Sequence, residues 1–264
     1  MDIDDILASV DRNDASKPES AALDHQLLTR FWVAERGVSE LLPWPGALMD
    51  RMMERVRKQI ETIEDLAASS DPTPTPTNNN NNPTLNLKLS ILQTDLSRAQ
   101  YLIRSVLRQR LAKLTKNSMY YLLLVSPQTH SQPDSSQMSQ QPQDSIPDLS
   151  GVTDPSPLSA QELAFLHAHQ NLLAGHFGAS FLGSFPPQLR RLDDNAGGTS
   201  MVQGPDGREV VFVRCLGEAV RVVVPPGDGV EVETEGVEMR MGDVWVARWE
   251  GVKGAWGRGE VEVL

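Results

Sequence analysis

The residues that could bind a metal ion are the five histidines and the single cysteine of this 264-residue chain. His167 and His169 are two positions apart in a predicted helix, so their side chains point to roughly opposite sides. His169 and His176 share a helix face, but no cysteine or carboxylate there completes a set of metal ligands. Cys215 lies in a predicted strand, which is typical of a small buried hydrophobe. The sequence therefore predicts no metal site and no disulfide.

Residue patterns of catalysis are also missing. The sequence contains neither a glycine-rich phosphate-binding loop nor the strand–Ser–helix turn of a serine hydrolase. The adjacent acids Asp193 and Asp194 follow a predicted helix, where a solvated turn is a simpler interpretation than a catalytic pair. Gly227 and Gly229 flank an aspartate between predicted strands, which is typical of turns. We expect a protein that is not an enzyme and needs no cofactor.

One basic segment could bind phosphate groups, because residues 98–116 include six basic residues and no acidic one. A nucleic-acid-binding helix is one interpretation, because cations that neutralise phosphates supply much of the affinity. The alternative is a helix whose bases pair with acids of a neighbouring helix. The formal net charge of −11 and the few aromatic side chains in the run favour the second interpretation. Little direct DNA binding is expected, and a nucleic-acid-binding helical module stays the alternative function.

The basic run lies in the longest of four predicted helices. Apolar residues recur at spacings of three and four over residues 22–42, 46–66 and about 87–124. In the long helix, Leu107 and Leu111 widen the apolar stripe, so this helix needs neighbours on more than one side. The chain alone is therefore expected to be poorly soluble or self-associating.

A fourth helix and a β-rich region complete the chain. Ser159 and Glu162 form a capping box at the start of the helix. Beyond about residue 195 the pattern changes to short β-branched segments, which predict strands at 210–214, 220–224, 230–234, 244–249 and 261–264. So small a sheet is marginal alone and is expected to dock on another element. The predicted fold class is α+β, an elongated helical bundle followed by a small β-rich domain.

The predicted domains are separated by changes in composition. We expect a helical domain over 21–195, interrupted by insertions at 67–84 and 126–157, and a β-rich domain over 199–264. The insertions are rich in Pro, Thr, Asn, Ser and Gln without apolar periodicity, which is typical of disorder. No segment has the apolar length of a membrane span, and the acidic N-terminus does not resemble a signal peptide.

Residues 1–20 are predicted to form a tail apart from the bundle. Ile3, Ile6, Leu7 and Val10 follow helical spacing, and the pair Asp4-Asp5 suits a helix N-terminus. A short isolated helix is unstable in water, so such a segment folds only on a partner. A flexible terminus with incidental apolar residues explains the same pattern.

The segment from Arg98 to Leu114, with the sequence RAQYLIRSVLRQRLAKL, resembles the signature helix of the Sld-five subunits of the GINS complex. Glu35-Arg36-Gly37 followed by Leu41-Leu42-Pro43 resembles the first helix of that family and the turn after it. The segment 158–165, LSAQELAF, resembles the start of its last long helix. Val106 and Gln109 depart from the pattern, and residues 251–258 match only loosely. The asparagine tract at residues 78–82 resembles those of fungal members of the family.

The resemblance implies a nuclear, non-catalytic scaffold subunit with a helical A domain and a small β-rich B domain. Its partners would be three sister GINS subunits, together with the MCM ring and the cell-division-cycle forty-five protein in the replicative helicase. The tail residues Ile3, Asp4, Asp5, Ile6 and Leu7 resemble the box that docks on a trimeric replisome hub. The candidates for subunit contact are Arg98, Tyr101, Arg104, Leu107, Arg108, Arg110, Leu111 and Lys113.

Overall fold

The computed structural model describes residues 18–69, 83–125, 157–186, 202–223 and 236–264. Residues 1–17 of the predicted tail, most of both predicted insertions and the predicted strand 230–234 lie outside the described residues, while residues 18–20 of that tail begin the first helix. Helices come first and strands follow, so the predicted α+β class is confirmed. None of the described helices combines the length and the apolar character that a membrane span requires.

Five helices form the N-terminal part of the chain. They are α1 (Pro18–Gly37), α2 (Gly46–Ser69), α3 (Pro83–Lys116), α4 (Ser118–Val125) and α5 (Ala160–Ser180), and a single 3₁₀ turn, Leu182–Ser184, follows. The long helical signal is therefore divided at Asn117 into α3 and α4. The helices also extend into the predicted insertion 67–84, where Pro83 takes the first helical position because its missing N–H is not needed there.

Two apolar clusters hold the helices together. The first lies between α1, α2 and α3 and contains Leu28, Met52, Ile103 and Val106, with Val106 fully buried. The second joins α3, α4 and α5 and contains Leu114, Tyr121, Leu122, Leu158 and Leu166. Helix α5 begins with the predicted capping box, in which the Ser159 hydroxyl accepts from the Glu162 N–H and the Glu162 carboxylate accepts from the Ser159 N–H.

The strands form two small antiparallel sheets. They are β1 (Val210–Cys215), β2 (Ala219–Val222), β3 (Val237–Arg240), β4 (Val244–Arg248) and β5 (Val261–Val263). One sheet has the order β4-β1-β5, and β2 pairs with β3 in the other. The side chains of β1 alternate between exposed and buried, as expected for a sheet with one face on a core.

The structure also contains a helix that the sequence pattern did not predict. Helix α6, Trp249–Gly257, lies between β4 and β5, where the sequence pattern predicted only the strands 244–249 and 261–264. Glycine disfavours helix by about 1 kcal/mol, and three glycines in nine residues mask the helical pattern. Burial of Trp249, Val252 and Ala255 on one face compensates, because packing against the sheet stabilises a helix of low intrinsic propensity.

The β-rich part packs on α1 and shares its core with it. Ala34 and Val38 belong to the same buried cluster as Val213, Val263 and Trp249. Gly37 permits this approach, since a Cβ there would lie 3.2 Å from Cγ1 of Val263. The small sheet is therefore not an independent core, which agrees with its predicted need for a docking surface.

Glu40 connects the helical and β-rich parts at the edge of this shared core. Its carboxylate accepts a hydrogen bond from Nε1 of Trp249 at 2.8 Å and pairs with Nζ of Lys253 at 2.5 Å. We expect Glu40→Ala to lower the free energy of unfolding by about 1–3 kcal/mol, because the indole N–H loses its acceptor. Lys253→Ala breaks only a half-exposed ion pair and should cost about 0–1 kcal/mol.

Urea unfolding combined with hydrogen exchange of the β1 and β5 amides would check this expectation. The Glu40 variant should show faster exchange in both strands, and the Lys253 variant should exchange at the wild-type rate. Equal losses in the two variants would contradict a role for the bond between Glu40 and Trp249.

Candidate protein–protein interface

Arg110 lies at the centre of a fully buried ionic network inside the helical bundle. Its side chain is 0% exposed and forms ion pairs with Glu162 of α5 at 2.6 Å and with Glu35 of α1 at 3.1 Å. Nη1 also donates to the carbonyl of Leu42 at 2.8 Å, and the guanidinium lies 5.2 Å from the centre of the Trp44 ring. The planar fork of arginine suits this arrangement, because it carries several donors in fixed directions.

Lys113, one turn later in α3, completes the network. Its Nζ lies 2.7 Å from Glu35 Oε1 and donates to the carbonyl of Glu40 at 2.8 Å. Burial lowers the pKa of Lys113, and the neighbouring Glu35 carboxylate opposes that shift. Two cations thus face the two carboxylates of Glu35 and Glu162, so the charges balance where solvent is excluded. The network fixes α3 to both α1 and α5.

Tyr121 adds a further buried contact beside this network. Its hydroxyl oxygen accepts a hydrogen bond from the Leu41 N–H at 2.9 Å, and its side chain is 1% exposed. Burial disfavours the charged phenolate and raises the pKa of Tyr121 to about 12. The stability that this group contributes is therefore present below pH 10 and is lost as the pH rises from the ordinary value of 10.0 to about 12.

Tyr121→Phe tests this alkaline dependence. At pH 7 the variant should be about 1–3 kcal/mol less stable, because the buried Leu41 N–H loses its acceptor. Between pH 10 and pH 12 the wild type alone should lose about 2–3 kcal/mol, so the difference between the two proteins should shrink. Urea denaturation at a series of pH values provides the measurement. A difference that stays constant up to pH 12 would contradict the raised pKa.

The opposite side of α3 faces outward. Tyr101 is 65% exposed, and Leu107 and Leu111 are 37% and 39% exposed. Arg98, Arg104 and Arg108 are exposed, and they form no ion pair with any residue that the structure describes; these six residues are the outer face of α3. The face thus combines large apolar side chains with unneutralised arginines, a composition enriched at protein interfaces.

Burial separates the interface candidates into two groups. Arg110 and Lys113 lie inside the chain, where they bind acids of neighbouring helices as one interpretation of the basic run predicts. Those two side chains cannot contact a partner directly while the bundle is folded. The other candidates lie together on the outer face of α3, and the structure describes none of the tail residues Ile3, Asp4, Asp5, Ile6 and Leu7.

Two protein families match successive parts of the chain. Residues 56–181 match the family described as "GINS complex protein helical bundle domain", and residues 205–264 match "DNA replication complex GINS protein SLD5 C-terminus". The chain is 35% identical over 255 residues to the Chaetomium globosum protein named "DNA replication complex GINS protein SLD5", covering 96% of this chain and 95% of the relative. The chain belongs to the SLD5 family of GINS proteins.

Two further fungal proteins of this family are less similar to the chain. The Yarrowia lipolytica SLD5 protein is 31% identical over 94% of this chain and 79% of its own length. The Schizosaccharomyces pombe protein is 28% identical over 86% of this chain and 85% of its own length. The resemblance to the Sld-five subunits and the fungal character are therefore confirmed. Both family matches follow the helical and β-rich order of the structure.

In this member of the SLD5 family, the sequence pattern did not reveal the two acids that hold α3 against α1 and α5. Glu35 appeared only as part of a family-like segment, and Glu162 only as a capping residue. The structure shows that Glu162 serves both purposes, since Oε2 accepts from the Ser159 N–H at 2.9 Å and from Arg110 Nη2 at 3.0 Å. No local sequence signal connects positions separated by 52 to 78 residues.

The end of α5 presents a second apolar surface. Leu172, Phe177, Phe181 and Phe185 are 38–70% exposed, and the three phenylalanine rings follow one another at centroid distances of 5.7 Å and 6.2 Å. Phe177 lies in the last turn of the helix, Phe181 follows the end of the helix, and Phe185 follows the 3₁₀ turn. Among the described residues, no group of three or more His, Cys, Asp or Glu side chains could hold a metal ion.

Proposed function

We propose that this chain is a non-catalytic scaffold subunit of a GINS complex in DNA replication. The observation that supports the proposal most is the division of α3 into two sides. Arg110 and Lys113 fix its inner side within the bundle, while Tyr101, Leu107 and Leu111 stay exposed on its outer side. A rigid helix with exposed apolar and arginine side chains is suited to holding another protein.

The partners in this proposal are three sister GINS subunits, which bind the outer face of α3 and the exposed end of α5. The finer part of the proposal is that the complex acts in the nucleus with the MCM ring and the cell-division-cycle forty-five protein. It rests on the family and on the names of the relatives, which are DNA replication complex proteins.

Co-expression with the three sister subunits, followed by size-exclusion chromatography and mass measurement, tests the proposal. We expect a stoichiometric complex that contains this chain, and a chain that aggregates or self-associates when it is produced alone. Obligate interfaces commonly bury about 2,000 Å² or more. A subunit that is produced without its partners therefore exposes this apolar surface to water. A stable monomer that does not join the sister subunits would contradict the proposal.

A nucleic-acid-binding module is the second candidate, because Arg98, Arg104 and Arg108 are exposed without a described acidic partner. Phosphate contacts by these arginines would give binding that weakens steeply as salt rises. The net charge of −11 opposes such binding, since most of the chain repels phosphates. A salt titration of DNA binding separates the two functions: weak binding with a shallow slope supports the scaffold.

The N-terminal tail is proposed to dock on a trimeric replisome hub. Burial of three side chains such as Ile3, Ile6 and Leu7 would contribute about 1.5–3 kcal/mol each, and ordering the segment would take back about 2–5 kcal/mol. We therefore expect affinity on the order of micromolar for a peptide of residues 1–17, measured by fluorescence anisotropy against the hub. Equal binding by an Ile6→Ala, Leu7→Ala peptide would show that these residues do not anchor it.

A further inference from the structure

A groove runs along the seam between α1 and α3 and continues to α2. Two adjoining cavities of about 420 Å³ and 500 Å³ form it, and His25 and Arg98 line both. We call it the α1–α3 groove. It opens beside the outer face of α3, because Arg98 and Tyr101 belong to that face and also line the groove.

The two ends of the groove differ in chemistry. The end near Tyr101 and Leu102 has an almost wholly apolar surface, which Thr94 and Ser97 also line. The other end is mixed: Arg55 and Gln59 of α2 and Asp95 of α3 line it together with apolar residues such as Met52 and Val56. Arg98 and Tyr101 are three residues apart on α3, so the cationic and apolar positions are about one helical turn apart.

Arg55 has hydrogen-bonding capacity that the described residues do not use. Nη2 donates to the Ser20 hydroxyl at 2.7 Å and pairs with Asp24 at 2.9 Å. Nε and Nη1 are buried and have no acceptor among the described residues. Buried donors without acceptors are rare in folded proteins because each costs the desolvation of an N–H group.

The acids around the groove are already engaged. Asp24 is buried and is shared between Arg51 and Arg55. Asp95 Oδ2 accepts from the amide of Gln59 at 3.1 Å, and among the described residues it is the one acid that lines either cavity. Arg51 and Arg55 share Asp24, and Arg98 forms no ion pair with a described residue. Three arginines thus stand against the two carboxylates of Asp24 and Asp95, so this end of the groove favours an additional anion.

We propose that the α1–α3 groove binds an acidic segment of a sister subunit, which places a carboxylate near Arg55 and Arg98 and a large apolar side chain beside Tyr101 and Leu102. An incoming helix with an acid and an apolar residue three or four positions apart matches the one-turn separation of the two ends. The inference rests on the proposed scaffold function and names the partner surface for the outer face of α3.

A protein segment fits the groove better than nucleic acid does. A phosphate backbone would meet Arg98, but the apolar end beside Tyr101 and Leu102 offers nothing to a second phosphate. An apolar side chain gains from leaving water there, and a carboxylate can accept from the exposed guanidinium of Arg98. The occupant is therefore expected to be acidic and amphipathic.

Arg98→Glu in the co-expressed complex tests the charge of the occupant. We expect assembly with the sister subunits to weaken about tenfold or more, because a carboxylate in the groove would meet a like charge. Arg57→Glu is the matched control, since Arg57 is 66% exposed on α2, pairs with Glu54 and does not line the groove. Assembly of the Arg98 variant at the level of the control would overturn the proposal.

A photo-crosslinking amino acid at Ser97, which lines the apolar end, identifies the occupant. We expect a crosslink to a sister-subunit peptide that carries Asp or Glu within about four residues of a large apolar residue. A crosslink to DNA, or to a segment without acids, would overturn the proposal. If the wild-type complex assembles but the Arg98 variant and the crosslink contradict the groove proposal, the scaffold function is unaffected. If the wild-type chain does not assemble with the sister subunits, the scaffold function itself is contradicted.

Discussion

Replacing Arg110 by methionine should lower the free energy of unfolding by about 3–5 kcal/mol, because it leaves buried carboxylates without their partner. Glu162 would lose its ion pair, and Lys113 would be the one cation left beside Glu35 among the described residues. The carbonyl of Leu42 would also lose a donor. A loss of this size is a large part of the usual 5–15 kcal/mol of a folded domain.

Arg108→Met is the matched control for this experiment, because Arg108 lies in the same helix but is exposed. Urea unfolding of the full chain, followed by helical circular dichroism, should show a change within about 0.5 kcal/mol for the control. If Arg110→Met and Arg108→Met unfold at the same urea concentration, the buried network does not stabilise the bundle. Glu35→Gln should resemble Arg110→Met in direction, since it removes the charge shared by both cations.

Reversing the charge of both Arg104 and Arg108 should weaken assembly with the sister subunits by about 100-fold or more while the chain stays folded. Arginines in contact with a partner commonly contribute about 2 kcal/mol or more to binding, and reversal adds repulsion from the acids that they meet. Because both side chains are exposed without an ion pair to described residues, the free energy of unfolding should change little.

The double reversal Arg57→Glu, Lys58→Glu on α2 is the matched control. Both of its positions are exposed and pair with Glu54, so the change in net charge is the same on another surface. Co-purification and size-exclusion chromatography of each complex should show loss of assembly only for the α3 variant. If both complexes assemble and only the α3 variant loses DNA affinity, the basic helix serves nucleic acid rather than a subunit.

Local patterns in the sequence determined much of the fold. Spacings of three and four predicted the helical segments, and Ser159 with Glu162 predicted the start of α5, because capping depends on residues only three positions apart. Alternation of β-branched residues predicted strands β1, β4 and β5 to within a few residues. The signature around Arg98 to Leu114 indicated the family to which the chain belongs.

Helix α6 shows where local pattern fails. Its glycines oppose helix formation, and it forms because Trp249 and Val252 pack under the sheet and against α1. The break between α3 and α4 at Asn117 was missed for a similar reason, since apolar residues continue on both sides of it. Neighbours distant in sequence decided both features.

The roles of the basic residues in α3 were decided only by the tertiary structure. Arg104, Arg108 and Arg110 are alike in the sequence, yet Arg110 is 0% exposed between Glu35 and Glu162 while the other two face outward. Helical periodicity fixes which side chains share a face, but the position of α1 and α5 decides which face is buried. The sequence determined that α3 is basic, amphipathic and typical of its family; its packing determined which arginines stabilise the bundle and which are left for a partner.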